Sequence, residues 1–167
     1  AILKLLKPGD EVLSTNDLYG GSHRIFTQLF PQFGIKFTFV DMSRMEEVDK
    51  YISFATKLLW VETPTNPMMS IIDIKAAAEL TKKHELILAV DNTFASPYLQ
   101  NPLDLGADIV MHSVTKYIGG HSDIVMGALI TNDKQLADQL YFIQKGSGAI
   151  CGPQDSFLAL RGIKTLH

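Results

Sequence analysis

The chain has 167 residues, of which 46% are hydrophobic and 20% charged, so it can build one folded domain and is not disordered by composition. Fifteen basic and eighteen acidic side chains give a net charge of −3, which argues against a general nucleic-acid or anionic-membrane binder. The only cysteine, Cys151, excludes an internal disulfide and favours a reducing compartment such as the cytoplasm. We expect this thiol to be buried and structural. No apolar run approaches the roughly 20 residues that cross a bilayer.

Short apolar runs alternate with amphipathic stretches along the chain. The runs predict six strands, over residues 11–15, 36–40, 57–62, 86–91, 108–113 and 127–131. The stretches between them predict five helices, over residues 22–33, 42–51, 73–84, 133–145 and 154–162. Gly146 is expected to end the fourth helix as its C′ residue. Because most strands are nearly continuous apolar runs, we expect a three-layer α/β/α domain with a mostly parallel sheet.

Polar side chains stand at the points where the apolar runs end. In open α/β sheets, ligands bind outside the carboxyl ends of the strands, so these residues are the first candidates for a site. The edge would carry one aromatic, one amide, one carboxylate, two hydroxyls and one amine: Tyr19, Asn66, Asp91, Ser113, Thr115 and Lys116.

Each of these side chains has an ordinary structural explanation when it is taken alone. Tyr19 and Asn66 suit turns, Asp91 could cap the segment that follows it, and a lone lysine such as Lys116 after a strand is usually solvated. Taken together, they fit pyridoxal phosphate. Its aldehyde needs a lysine amine, its ring nitrogen a carboxylate, its phosphate hydroxyl donors and its flat ring an aromatic partner.

Five segments of the sequence resemble the Cys/Met-metabolism family of pyridoxal-phosphate-dependent enzymes. They are DLYGGS, ETPTNP, VDNTFASPY, GADIVMHSVTKYIGGHSDIVMGA and GPQDSFLALRGIKTLH, and the likeness runs over essentially the whole chain. The resemblance implies the large cofactor-binding domain of an aspartate-aminotransferase-like (type I) fold, over residues 1–167. Family members are more than twice as long, so we expect a domain trimmed at both ends, without the N-terminal arm and the C-terminal small domain.

The resemblance also implies roles at the cofactor. Lys116 corresponds to the lysine that binds pyridoxal phosphate covalently and later moves protons, and Asp91 to the acid at the ring nitrogen. Ser113 and Thr115 correspond to hydroxyls at the phosphate.

On the ring and substrate side, three further positions match the family pattern. Tyr19 corresponds to the tyrosine that stacks on the ring and can also move protons, and Asn66 to the amide near the ring oxygen. Arg24 corresponds to a basic residue close to the substrate.

The resemblance implies a carbon–sulfur lyase of the cystathionine γ-lyase type, or a related transferase, in transsulfuration and cysteine biosynthesis. The reaction would be γ-elimination or γ-replacement on cystathionine or an O-acyl-homoserine, in a homotetramer built from two dimers. Gly21 stands where methionine γ-lyases often carry a cysteine, which argues against that member. Methionine γ-lyase and cystathionine β-lyase remain alternatives, and a catalytically silent α/β interaction domain is the alternative outside the family.

Three other kinds of site are disfavoured by spacing. The glycines of KGSGAICG miss the dinucleotide-binding spacing and follow a predicted helix rather than a strand. Lys116 precedes its glycines, whereas a P-loop lysine follows them. His112, His121 and Asp123 match no set of metal ligands, so we expect no metal.

Overall fold

One six-stranded sheet organises the computed structural model, which describes residues 1–167. The strands are β1 Glu11–Thr15, β2 Lys36–Val40, β3 Thr56–Glu62, β4 Ile87–Asp91, β5 Ile109–Ser113 and β6 Gly127–Ile130. Their order across the sheet is β2-β1-β3-β4-β5-β6, and only β6 runs antiparallel to its neighbour. The six predicted strands and the mostly parallel sheet are therefore confirmed, with strand ends that differ by at most one residue.

Helices and helical turns connect the strands. The α-helices are α1 Gly20–Arg24, α2 Met45–Val48, α3 Ile74–Lys83, α4 Ser96–Leu99, α5 Lys134–Ser147 and α6 Pro153–Ile163. Shorter turns are the 3₁₀ turns Ile2–Leu5, Pro31–Phe33 and Asp49–Tyr51 and the π-helical turn Ile25–Leu29. Helices α3, α5 and α6 match predictions, whereas α4 and the first 3₁₀ turn were not predicted.

Two predicted helices are wrong in extent. The stretch 22–33 is divided into α1, a π-helical turn and a 3₁₀ turn. Pro31, which lacks the N–H that would continue the helix, begins the 3₁₀ turn. The stretch 42–51 becomes helical only at Met45, since the Asp41 carboxylate accepts the Ser43 N–H at 2.9 Å and holds a turn there.

The ends of the long helices follow local capping chemistry. Asp73 accepts the Ala76 N–H at 3.0 Å to begin α3, and Asp133 caps α5 in the same way. The prediction that Gly146 ends α5 is wrong, because the helix continues through it. Gly148, with φ 69°, takes the left-handed conformation that closes the helix.

Both faces of the sheet are covered, as the continuous apolar runs predicted. On one face, Leu59, Leu88 and their neighbours pack against α2 and α3. On the other face, Val12 and Trp60 pack with Phe26, the first 3₁₀ turn and α5. Adjacent residues of one strand thus enter opposite cores, which gives the three-layer α/β/α arrangement.

Cys151 does not behave as predicted. It lies in the short connection between α5 and α6, where no element covers it, and its thiol is free and exposed. None of the helices combines the length and the apolar character that a membrane span requires.

Candidate active site

The carboxyl ends of the parallel strands meet at one edge of the sheet. Glu62, the last residue of β3, is in register with Asp91, the last residue of β4, and Asp91 is in register with Met111 of β5. The segments that follow β1, β3, β4 and β5 therefore leave the sheet side by side. All six predicted cofactor residues lie in these segments or, like Asp91 and Ser113, at the last position of a strand.

Asp91 is a buried carboxylate with only one of its two oxygens satisfied. Its side chain is 5% exposed, and Oδ1 accepts the Thr93 hydroxyl at 2.6 Å and the Thr93 N–H at 3.0 Å. Oδ2 accepts no hydrogen bond from the chain. Burial raises the pKa of Asp91, while the two bonds from Thr93 act to lower it. Such a carboxylate calls for a cation or an N–H donor at the free oxygen.

Thr93 connects Asp91 to the segment that carries the lysine. Its hydroxyl donates to Asp91 and accepts the Ser113 N–H at 2.9 Å. The Ser113 carbonyl in turn accepts the Lys116 N–H at 3.0 Å. The Lys116 side chain is exposed and makes no ion pair or hydrogen bond within the chain. A continuous chain of hydrogen bonds thus runs from the buried acid to the lysine turn.

The two hydroxyls predicted at the phosphate differ in their availability. The Ser113 hydroxyl makes no hydrogen bond within the chain. The Thr115 hydroxyl accepts the Met126 N–H at 3.0 Å and donates to the Met126 carbonyl at 3.2 Å. Ser113 is therefore free to donate to a ligand, whereas Thr115 also fastens the lysine turn to the segment that leads into β6.

Helix α6 packs very closely on the lysine turn. A Cβ added at Gly162 would lie 2.5 Å from the Ile118 carbonyl oxygen, so only glycine permits this approach. Beside it, Arg161 forms an ion pair with Asp123 at 2.6 Å. These contacts are a second support of the Lys116 turn, besides the hydrogen bond from Ser113 to Thr93.

Tyr19 and Asn66 lie in the loops after β1 and β3. Tyr19 has 45% of its surface exposed, and its ring passes so close to Gly21 that an added Cβ would lie 3.0 Å from Cδ1. The Asn66 side chain is partly buried and makes no hydrogen bond within the chain. Arg24 ends α1 with an exposed side chain and no ion pair. The ring face of Tyr19, the Asn66 amide and the Arg24 guanidinium are all free of partners within the chain.

Sequence reasoning missed three residues that shape this edge, which are Asp17, Glu62 and Thr93. Glu62 is 5% exposed and accepts the Tyr19 N–H at 2.9 Å. Burial is the main reason that the pKa of Glu62 is raised to about 7, and the charges of Asp91 and Asp17 add to the effect. A charged residue that ends an apolar run could have revealed Glu62, since the same pattern singled out Asp91.

Glu62 makes stability depend on pH in a defined direction. Between its ordinary pKa of 4.5 and the folded-state value of about 7, the folded chain holds a proton that the unfolded chain has lost. Stability should therefore fall as pH rises through this window, by about 3 kcal/mol from this group. We expect Glu62→Gln to remove that part of the slope in urea unfolding between pH 5 and pH 8. Replacement of the exposed Glu79 by Gln is the control, and an unchanged slope in Glu62→Gln would contradict this assignment.

Comparison with known proteins identifies the family of this chain. A family model described as "Cys/Met metabolism PLP-dependent enzyme" matches residues 1–167. The chain belongs to this family.

Individual relatives within the family agree with the match. The chain is 56% identical over 166 residues to "Cystathionine gamma-lyase" of Dictyostelium discoideum and 52% identical to "Cystathionine gamma-synthase" of Mycobacterium leprae. The solved cystathionine gamma-lyase from Lactobacillus plantarum, complexed with L-serine, superposes with a TM-score of 0.97 at 44% identity. Each comparison covers 99% of this chain but 43% of the relative, so the chain spans less than half of their length. The α/β fold that the resemblance implied is confirmed.

The chemistry of the edge fits the cofactor of this family. Asp91 offers a carboxylate oxygen that accepts no hydrogen bond from the chain, Lys116 an unpaired amine and Ser113 an unpaired hydroxyl. A protonated pyridine nitrogen, an aldehyde and a phosphate are the complementary groups. The chemistry of the residues present therefore suits pyridoxal phosphate.

Proposed function

We propose that residues 1–167 form the pyridoxal-phosphate-binding large domain of a cystathionine γ-lyase-type enzyme or a related transferase. The substrate would be a small sulfur amino acid, and the reaction γ-elimination or γ-replacement on cystathionine or an O-acyl-homoserine. The observation that carries the proposal is the half-satisfied Asp91 carboxylate, linked through Thr93 to the turn of Lys116. Membership of the family and relatives named for both reactions support it.

Asp91 and Lys116 have the central tasks in this proposal. When bound, pyridoxal phosphate supplies a carbonyl for covalent attachment and a ring that spreads negative charge from the substrate α-carbon. Asp91 would accept the ring N–H and keep that proton in place. Lys116 would hold the cofactor through its amine and, with substrate bound, would accept a proton from the substrate α-carbon.

The remaining residues hold and orient the reacting groups. Ser113 would donate its hydroxyl to the phosphate, and Thr115 stabilises the same turn through its hydrogen bonds to Met126. Tyr19 would pack its ring on the cofactor and provide a hydroxyl that can move a proton. Asn66 would donate its amide to the ring oxygen, and Arg24 would attract the substrate carboxylate.

The relatives carry the names of several different reactions, so other reactions of the same family are the alternatives to this proposal. A "Cystathionine beta-lyase" of Lactococcus lactis is 46% identical to the chain, below the γ-lyase and γ-synthase relatives. Gly21 in place of a cysteine argues against methionine γ-lyase. A silent interaction domain would not need both Asp91 and Lys116. A tetramer of two dimers and a cytoplasmic location stay predictions of the sequence.

Product analysis of the full-length protein tests the proposal. With cystathionine we expect cysteine and 2-oxobutanoate, because cleavage on the γ side leaves the sulfur with cysteine. Homocysteine and pyruvate would instead indicate β-cleavage, and methanethiol from methionine would indicate methionine γ-lyase. Cystathionine formed from an O-acyl-homoserine and cysteine would assign the replacement reaction. Absence of turnover with each of these substrates would overturn the proposal.

A further inference from the structure

Two loops at the site edge carry the candidate residues for the cofactor ring. Residues 16–19 follow β1 and include Tyr19, and residues 63–70 follow β3 and include Asn66. Strands β1 and β3 pair in parallel, so the loops leave the sheet next to each other. No backbone–backbone hydrogen bond joins them. The relative position of Tyr19 and Asn66 therefore depends on side chains.

Two carboxylates join these loops, and each accepts hydrogen bonds from the loop to which it does not belong. Glu62, at the base of the second loop, accepts the Tyr19 N–H of the first loop at 2.9 Å. Asp17, in the first loop, accepts the Thr65 hydroxyl and, at 3.0 Å, the Met68 N–H of the second loop. These are the hydrogen bonds between the two loops, and we call the pair Asp17 and Glu62 the reciprocal clamp.

The acid type of Glu62 is unfavourable for stability alone. An amide side chain could accept the same N–H groups without a charge. The Glu62 carboxylate is buried beside the acids Asp91 and Asp17, and the loss of solvation and the repulsion raise its pKa to about 7. Asp41, at the end of β2, accepts an N–H only from its own turn and lies exposed in solvent. A buried carboxylate that lies close to other acids is unfavourable for folding, and such unfavourable residues are typical of functional sites.

We propose that Asp17 and Glu62 are positioning residues that hold Tyr19 and Asn66 in register on the pyridoxal phosphate ring. The proposal rests on the proposed function, because it takes those two residues as contacts of the ring. Charge-assisted bonds from carboxylates to backbone N–H groups are stronger and shorter than neutral ones, and they fix the backbone from which each side chain projects. Small displacements of such groups have large effects on binding and rate.

The test compares Asp17→Ala, Glu62→Ala and their double variant with Asp41→Ala, which removes a carboxylate that bonds only within its own turn. In the cofactor-free full-length protein, hydrogen exchange at the Tyr19 and Met68 amides should accelerate in the clamp variants alone. Affinity for added pyridoxal phosphate should fall about tenfold in each single variant. The double variant should lose less than the product of the two single effects, because both act on the same pair of loops.

The outcomes separate the clamp from the proposed function. Faster exchange with cofactor affinity and kcat equal to those of Asp41→Ala would overturn the positioning role, and unchanged exchange would overturn the clamp itself. If a clamp variant does not fold, Asp17→Asn and Glu62→Gln keep one acceptor oxygen each and should show smaller losses in the same direction. A wild-type protein that binds no cofactor would refute the proposed function, while the exchange data would still decide whether the loops are clamped.

Discussion

Replacement of Lys116 by Ala is expected to lower turnover of the full-length protein by a factor of about 10³ or more and to abolish covalent attachment of the cofactor. The lysine would serve twice, as the point of attachment and as the base at the α-carbon, and no other lysine belongs to the same turn. The visible absorbance of the protein with added pyridoxal phosphate and the rate of product formation measure the two losses separately.

A second lysine provides the control for this experiment. Lys57 is exposed at the start of β3, at the amino ends of the parallel strands and so away from the candidate site. It has no partner within the chain. Lys57→Ala should keep both the absorbance and the rate. A Lys116→Ala protein that keeps the yellow absorbance and normal turnover would show that the attachment site lies elsewhere.

Asp91→Asn is expected to lower kcat by about 10²- to 10³-fold without loss of stability. The amide keeps an oxygen that can accept the two bonds from Thr93, so the loop should stay in place. It has no negative charge to hold a proton on the ring nitrogen. Because burial raises the pKa of Asp91, removal of the charge relieves a desolvation penalty, and the urea midpoint should stay constant or rise.

The matched control for Asp91 is Asp108, an aspartate at the amino ends of the parallel strands. Asp108 precedes β5 and accepts the Leu88 N–H at 2.7 Å, far from the lysine turn in the fold. Asp108→Asn should leave kcat unchanged. If Asp91→Asn lowered stability and activity to the same extent, its role would be structural and the assignment to the ring nitrogen would be wrong.

The sheet was predictable because its signal is local. Strands buried on both faces need continuous apolar runs, and each run ends where a polar residue first meets solvent or a ligand. Breaks within helices were harder to predict. The 3₁₀ turn within residues 22–33 begins at Pro31, and the end of α5 depends on which glycine of GSG adopts a positive φ. The exposure of Cys151 depends on which elements cover the connection between α5 and α6. The residues next to Cys151 in the sequence do not specify this packing.

For the candidate site, the sequence singled out residues whose chemistry alone distinguished them. Asp91 and Lys116 stand out because a carboxylate and an amine at the same sheet edge suit one cofactor. Thr93 and Asp17 were missed because their importance comes from partners that are 20 and 48 residues away along the chain. Such contacts depend on strand register and loop shape, which a single sequence does not specify.

Mapping of the cofactor after reduction tests the account most directly. The full-length protein would be incubated with pyridoxal phosphate, reduced with borohydride and digested, and the modified peptide identified by mass spectrometry. We expect a single major adduct on Lys116, in the turn that Thr93 links to Asp91. An adduct on another lysine, or none, would contradict the assignment of this edge as the cofactor site.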